Sequence, residues 1–372
     1  MEKLTAFVSQ HLSEDTARLI LNRDKWPGID MDLAVNCIES RRKLRGKVQE
    51  WYNEPSLVFP AKLSAEQCSS SATAEYKASF AGRIAGKEGW RIADLTGGLG
   101  VDSWFFSRKA GKVLYNEMQS GLCEAAAHNF RTLNAGNILI SCNIAEKGRI
   151  AEIAGAFNPD VIYMDPARRG EGGKKVFLIE ECTPDVLTLE EEIFSICRHI
   201  LIKLSPMADI SMVCERLGEK CREVHVVASG GECKELLIWM DREWKGEYSI
   251  HAVELPDDYP ASEASVFSFL PSEERQSVPA MATIGKTDDT CHTPLYLFEP
   301  GKAMMKAGAF NLISERLGLT KFGRSTHYYM VDSEEKANSL KSLGKTYSIL
   351  RCESLDKRTL KAAGKDFPRS EV

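Results

Sequence analysis

The stretch Ala93-Asp94-Leu95-Thr96-Gly97-Gly98-Leu99-Gly100-Val101 decides how the rest of the chain reads. Residues 91–95 ahead of it are apolar enough for a buried strand, and 101–109 behind it carry helical spacing. Between them Gly97, Gly98 and Gly100 lack a Cβ, so the backbone can turn sharply and a ligand can approach it closely. A second strand, 112–116, ends in Glu117, 23 residues after Asp94. An acid at that strand tip is placed to accept hydrogen bonds from ribose hydroxyls. The stretch therefore predicts a doubly wound α/β sheet with a nucleoside cofactor at its first turn.

The flanking rhythm agrees. Strands are expected at 91–95, 112–116, 137–142, 160–164, 199–204, 222–228 and 233–239, with helices at 101–109, 120–133, 145–156, 187–197 and 210–217. Alternation at this spacing implies a mostly parallel sheet with right-handed crossovers. The last link, Ser229-Gly230-Gly231-Glu232, is too short for a crossover helix, so the final two strands form an antiparallel hairpin. Residues 1–80 read as a helical region, with helices at 5–12, 14–22 and 31–51 and a hydroxyl-rich segment, 64–80, leading into a helix over 73–86. In that segment Gln67, Ser69, Ser70 and Thr73 either cap a helix or touch the ligand. The basic run Arg41, Arg42, Lys43, Arg45 and Lys47 is either a solvated helix face or a phosphate-contacting patch. Residues 81–245 form the α/β domain. Prolines 256, 260, 271 and 279 punctuate two strands, 248–255 and 265–270, in a small unit over 246–293. A small α+β unit follows over 294–372, with strands at 295–299, 326–331 and 347–352 and helices at 303–317 and 355–363.

Seven strands with the last inserted antiparallel resemble the Rossmann-like sheet of class I S-adenosylmethionine-dependent methyltransferases. Asp94 to Gly100 resembles the first motif of that superfamily, D/E-x-G-x-G-x-G, with Thr96 in place of the first glycine. The resemblance implies that Asp94, Thr96, Gly97, Gly98 and Gly100 bind the cofactor, with Gly98 and Gly100 facing its amino acid and sugar and Asp94 holding its amino group directly or through water. It puts Glu117 on the ribose and Asn143 at the adenine amino group, and makes Met118 and Ile144 further cofactor-binding candidates. Asp165-Pro166-Ala167-Arg168-Arg169-Gly170 resembles the fourth motif, [D/N]-P-P-[Y/F/W], of enzymes that methylate nucleobase amino groups, and departs from it at Ala167 and Arg168. It is also similar to D-P-P-R-x-G of RNA uridine C5-methyltransferases, but no nucleophilic cysteine stands near Ser205-Pro206, where that mechanism requires one. The resemblance makes Asp165, Pro166 and Arg168 the catalytic candidates. Arg168, Arg169 and Lys203 are candidate substrate contacts, and Gly170, Gly172 and Gly173 a loop over substrate. Lys203 is a cation inside an apolar strand and needs a partner, with Asp165 or substrate as the two choices. The segment from Tyr296 to Tyr329 is similar to a THUMP-like module that accompanies a bacterial family of class I methyltransferases. The order in that family adds a small ferredoxin-like piece ahead of the module.

Composition sets the partners. No apolar run reaches the ~18–20 residues that cross a bilayer, and residues 1–11 have no signal-peptide core. Eleven cysteines without C-x-x-C spacing suit reduced thiols in a cytoplasmic protein, and no metal site is expected. The net charge is −5, yet residues 297–372 hold 14 Lys and Arg against 9 Asp and Glu. Lys302, Lys306, Lys321, Arg324, Lys357, Arg358 and Lys361 in that segment suit phosphate contact, or else line a solvated surface. The leading expectation is a methyltransferase that uses S-adenosylmethionine and acts on RNA. A small-molecule or protein methyltransferase and a non-catalytic RNA-binding protein on the same fold are the alternatives.

Overall fold

The computed structural model of the chain describes residues 2–168, 179–282, 296–350 and 356–367. The chain divides into two units, Met1–Pro271 and Ser272–Val372. In the first, nine strands build one sheet: β1 (Arg91–Asp94), β2 (Lys112–Asn116), β3 (Ile138–Ser141), β4 (Val161–Met164), β5 (His199–Leu204), β6 (Cys221–Ser229), β7 (Glu232–Asp241), β8 (Ser249–Leu255) and β9 (Ser265–Phe269). Their spatial order is β9-β8-β6-β7-β5-β4-β1-β2-β3. β7 runs antiparallel between β5 and β6, as the two-glycine turn requires. Gly230 and Gly231 both take positive φ there, +60° and +74°, which suits a tight hairpin.

The seven expected strands are present, but the sheet does not stop at seven. β8 pairs parallel to β6 and β9 pairs antiparallel to β8, so the strands expected in a separate unit over 246–293 extend the large sheet instead. Ile250, Ala252, Val253 and Leu255 bury themselves there, and β8 covers what would otherwise be an open edge at β6. Ile92, Ala93, Val161, Ile162, Leu201 and Ile202 are fully buried, as expected of strands covered on both faces.

The N-terminal region packs as part of this body. Its helices are Glu2–Gln10, Thr16–Leu21, Met31–Leu44, Gln49–Asn53, Lys62–Gln67 and Ser71–Ala85. The helix expected over 31–51 breaks after Leu44, where Gly46 has φ +72°. Ser71–Ala85 packs against β4, β5 and β6 and carries the chain across the 80/81 boundary without interruption. Ser70 caps it, accepting from the Thr73 N–H at 3.3 Å. Trp51, Phe59, Phe105 and Phe106 are at most 2% exposed in one shared core. Burying each such side chain contributes ~1.5–3 kcal/mol, so the N-terminal helices stabilise the sheet rather than decorate it. Three side chains of the basic run are engaged within the fold, while Lys43 and Arg45 are exposed. Arg41 donates to the carbonyls of Tyr52 (2.6 Å) and Glu54 (3.2 Å), Arg42 to those of Leu12 and Glu14, and Lys47 to those of Ala65 and Glu66. The helix expected over 145–156 shrinks to one wide turn, Ala151–Gly155, because Gly148 leaves helical space at φ +86°.

The second unit holds a five-stranded sheet ordered Ala280–Met281, Thr320–Lys321, Tyr329–Val331, Tyr296–Pro300, Gly344–Ser348. Helices Lys302–Ala307 and Leu312–Leu317 replace the single helix expected over 303–317, divided at Gly308 with φ +83°. Phe298, Met304, Ile313 and Tyr329 form its centre. Among the described residues, no helix is long and apolar enough to cross a membrane.

Candidate active site

The strand order reverses at β1, which lies between β2 and β4. In open α/β sheets a crevice forms beyond the carboxyl ends of the strands at such a point. Here it is a cleft of about 690 Å³, lined by the turn Asp94–Val101, Glu117–Gln119, Asn143–Ala145, Asp165–Ala167, Lys203–Ser205 and the hydroxyl-rich segment at Ser64 and Gln67–Ser69.

The glycine turn is fixed by close packing. A Cβ on Gly97 would fall 2.2 Å from the Tyr115 ring, and one on Gly100, at φ +93°, 2.7 Å from Phe130. The Tyr115 hydroxyl donates to the Gly98 carbonyl at 2.6 Å. Glu117 is buried at the cleft wall. Its Oε2 accepts the Gly98 N–H at 3.0 Å and its Oε1 the Gln119 N–H at 2.9 Å, which aims the carboxylate and leaves each oxygen a further lone pair. Met118 and Ile144 stand on the cleft wall as exposed apolar side chains, at 58% and 46%. The Asn143 side-chain carbonyl accepts from Arg149 at 3.1 Å and its amide donates to Ser141 at 2.9 Å, so the residue braces the turn after β3 as well as lining the cleft. Thr96, where the methyltransferase motif has glycine, is not idle. Its hydroxyl accepts the Asp165 N–H at 2.6 Å and ties the glycine turn to the end of β4.

Asp94 is buried beneath the turn, accepting from the Thr96 N–H (3.0 Å) and the Ser103 hydroxyl (2.6 Å). Burial pushes its carboxyl up to about 7. This raised value means that the folded state holds a proton that the unfolded chain releases near pH 4. The carboxyl therefore adds stability below that pH, and the contribution is lost as pH rises to about 7. A cationic ligand group favours the ionised form. Affinity for a cleft ligand that carries an ammonium group is accordingly expected to be several-fold weaker at pH 6 than at pH 7.5, and Asp94→Asn to flatten that dependence in calorimetric titrations.

Lys203 finds its partner in Asp165, Nζ to Oδ2 at 2.5 Å, at the adjoining ends of β5 and β4. Pro166 and Ala167 line the same wall. Ala167–Arg168 pairs with Cys182–Thr183, which brings Thr183 and Pro184 to the cleft. The Arg168 side chain, all of Arg169 and the glycines at 170, 172 and 173 lie outside the described residues. Cys68 also lines the cleft, where burial pushes its thiol up to about 11 and so favours the protonated form.

Sequence reasoning missed the residues behind this wall: Lys77, Asp102, Tyr163 and Glu235. Lys77 is a cation among Ala74, Ala78, Phe80, Ala81 and Ile84 on the buried side of its helix, a signal comparable to that of Lys203. Elsewhere, the structure gathers Glu223, His225 and His251 from β6 and β8. The Arg83 guanidinium sits 2.6 Å from Glu223 Oε2 and 3.4 Å from His225 Nε2, supplying the positive charge of that cluster.

The sheet order, the glycine turn and Glu117 define a methyltransferase-type fold, and the comparisons agree with it. The crystal structure of a proposed methyltransferase from Porphyromonas gingivalis W83 superposes with a TM-score of 0.80 at 30% identity, covering 99% of this chain and 86% of that one. The chain belongs to the family of that protein. An rRNA methylase from Streptococcus thermophilus (12% identity, 45% of this chain and 93% of that one) has a TM-score of 0.32. A proposed methyltransferase from Streptococcus mutans in complex with SAH (14%, 45% and 96%) has one of 0.31. A family model described as a ferredoxin-like domain matches residues 296–347, where the THUMP-like unit was expected, and not 246–293. No curated protein matches the chain.

Proposed function

We propose that the chain is an S-adenosylmethionine-dependent methyltransferase acting on RNA. The observation that carries the cofactor reading is the Glu117 carboxylate, held by two backbone N–H groups beside a turn that a Cβ at Gly97 would fill. When bound, S-adenosylmethionine supplies an electrophilic methyl group on a sulfonium. The residues fit such a molecule. Glu117 accepts from two ribose hydroxyls, Met118 and Ile144 flank a purine ring, and Asp94 answers a cationic amino group. Asp165 and Lys203 stand where an acceptor enters. Support for RNA comes from the helix Lys357–Asp366, on which Lys357, Arg358, Lys361 and Lys365 are all exposed. Lys321 drops out of that patch because it is buried in the second unit.

Calorimetric titration tests the reading. The full chain is expected to bind S-adenosylmethionine and S-adenosylhomocysteine near micromolar Kd and NAD not at all. Glu117→Ala, which removes charge-assisted hydrogen bonds worth ~1.5–3 kcal/mol, weakens both ligands at least tenfold. Folded protein that binds neither ligand refutes the reading. Transfer of radioactive methyl groups to RNA from cells lacking the gene then tests the substrate. Label confined to small molecules or protein would refute the RNA part alone.

A further inference from the structure

Asp165 and Lys203 are backed by a buried charge cluster that the binding of a nucleoside cofactor does not require. Lys77 is fully buried. Its Nζ donates to Glu235 Oε1 and Oε2 at 2.7 and 2.9 Å and to the Ser69 hydroxyl at 2.9 Å, and lies 3.4 Å from Asp102 Oδ1. The Tyr163 hydroxyl donates to Asp102 Oδ2 at 2.8 Å. Lys203 lies opposite Leu237 in the β5–β7 ladder, so Glu235, two residues along, shares its face of the sheet. Burial opposes the charge on Lys203, but Asp165, Glu235 and Asp102 together outweigh it and hold the amine above the ordinary lysine range. Lys203 is thus a fixed cation at the cleft wall and not a proton acceptor.

A fixed cation discriminates between acceptor atoms. A nitrogen that attacks a methyl group through its lone pair gains positive charge as the bond forms, and a neighbouring ammonium raises the energy of that transition state. A hydroxyl oxygen does the opposite. It gives up its proton and develops negative charge, which an ammonium stabilises most effectively in a water-poor site. Asp165 matches the second case. One of its oxygens is committed to Lys203, and the carboxylate is 36% exposed, so the other can reach an entering group.

We propose that the methyl acceptor is a hydroxyl oxygen and, resting on the RNA reading above, the ribose 2′-hydroxyl. Asp165 takes the proton, Lys203 stabilises the developing alkoxide, and Lys77, Glu235 and Asp102 position Lys203. The step balances. The oxygen forms a bond to the methyl carbon, and the carbon–sulfur bond breaks with its electron pair going to sulfur. The hydroxyl proton passes to the free Asp165 oxygen and then to water, leaving a methyl ether, a thioether and one proton.

Two measurements test this. In the first, the full chain is incubated with trideuteromethyl S-adenosylmethionine and RNA from cells lacking the gene. The RNA is digested to nucleosides and fragmented by mass spectrometry. Label is expected on the ribose fragment; label on the base, or on no nucleoside, overturns the assignment. The second needs no acceptor. S-adenosylmethionine carries a positive sulfur that S-adenosylhomocysteine lacks, so a cation at the transfer position disfavours the former relative to the latter. Lys203→Met is expected to raise the ratio of the two affinities about fivefold, while Lys203→Arg leaves it unchanged. Lys203→Gln serves if the methionine variant fails to fold. An unchanged ratio overturns the role of Lys203 whatever the RNA shows, since a merely structural lysine would move both affinities together. Failure of the wild-type chain to bind either ligand overturns the methyltransferase reading itself. Binding with a shifted ratio and base-linked label overturns only the choice of acceptor atom.

Discussion

Lys77→Met is expected to destabilise the first unit by ~3–5 kcal/mol, read as a large fall in the urea midpoint at pH 7. The side chain is fully buried, and its ammonium is the nearest counter-charge to Glu235 and a close one to Asp102. Removing it leaves two carboxylates in a dry site with Lys203 as their remaining cation. Burial already raises the Glu235 carboxyl above its ordinary range despite Lys77 and Lys203. The double variant Lys77→Met/Glu235→Leu replaces the ion pair with apolar groups of similar volume and is expected to recover much of the loss. Recovery would show that the pair is retained for the charge it holds beneath Lys203, since an apolar pair stabilises the fold nearly as well. A single variant no less stable than wild type would mean that the cluster is hydrated.

This cluster also marks where sequence reasoning stopped. The glycine turn, Glu117 and Asp165 were legible because each sits at a strand tip within a few residues of its signal. The antiparallel β7 was legible because two glycines cannot span a crossover. Lys77 and Glu235 lie 158 positions apart and meet only when the N-terminal helix crosses the sheet. Nothing local to either residue announces the other. The same holds for β8 and β9, whose apolar alternation predicted strands but not the partner that would pair with them. At Arg41, Arg42 and Lys47 the charge run carries another role as well, since each donates to backbone carbonyls at or between the ends of short helices. Lys203 was the intermediate case. Its place in an apolar strand demanded a partner, and the register of β4 beside β5 decided which.

Asp165→Asn separates the two chemistries that the motif Asp165-Pro166 permits. An amide still accepts a hydrogen bond, so an enzyme that orients a target amine keeps part of its rate with asparagine, as the [D/N] of the related motif implies. An amide cannot take a proton. If Asp165 is the base for a hydroxyl, the asparagine variant is expected to lose ~10²–10⁴-fold in methyl transfer, nearly as much as Asp165→Ala. S-adenosylhomocysteine affinity should stay within about threefold in both variants, because the cofactor contacts assigned to Glu117, Met118 and Ile144 are untouched. The substitution removes the negative charge that faces Lys203 at 2.5 Å, so a stability loss is expected alongside. Single-turnover rates at saturating cofactor keep that loss apart from the chemical step. Asparagine activity within tenfold of wild type would return the acceptor to nitrogen. Equal and severe losses in the two variants would fix Asp165 as a proton acceptor and Lys203 as the charge beside it.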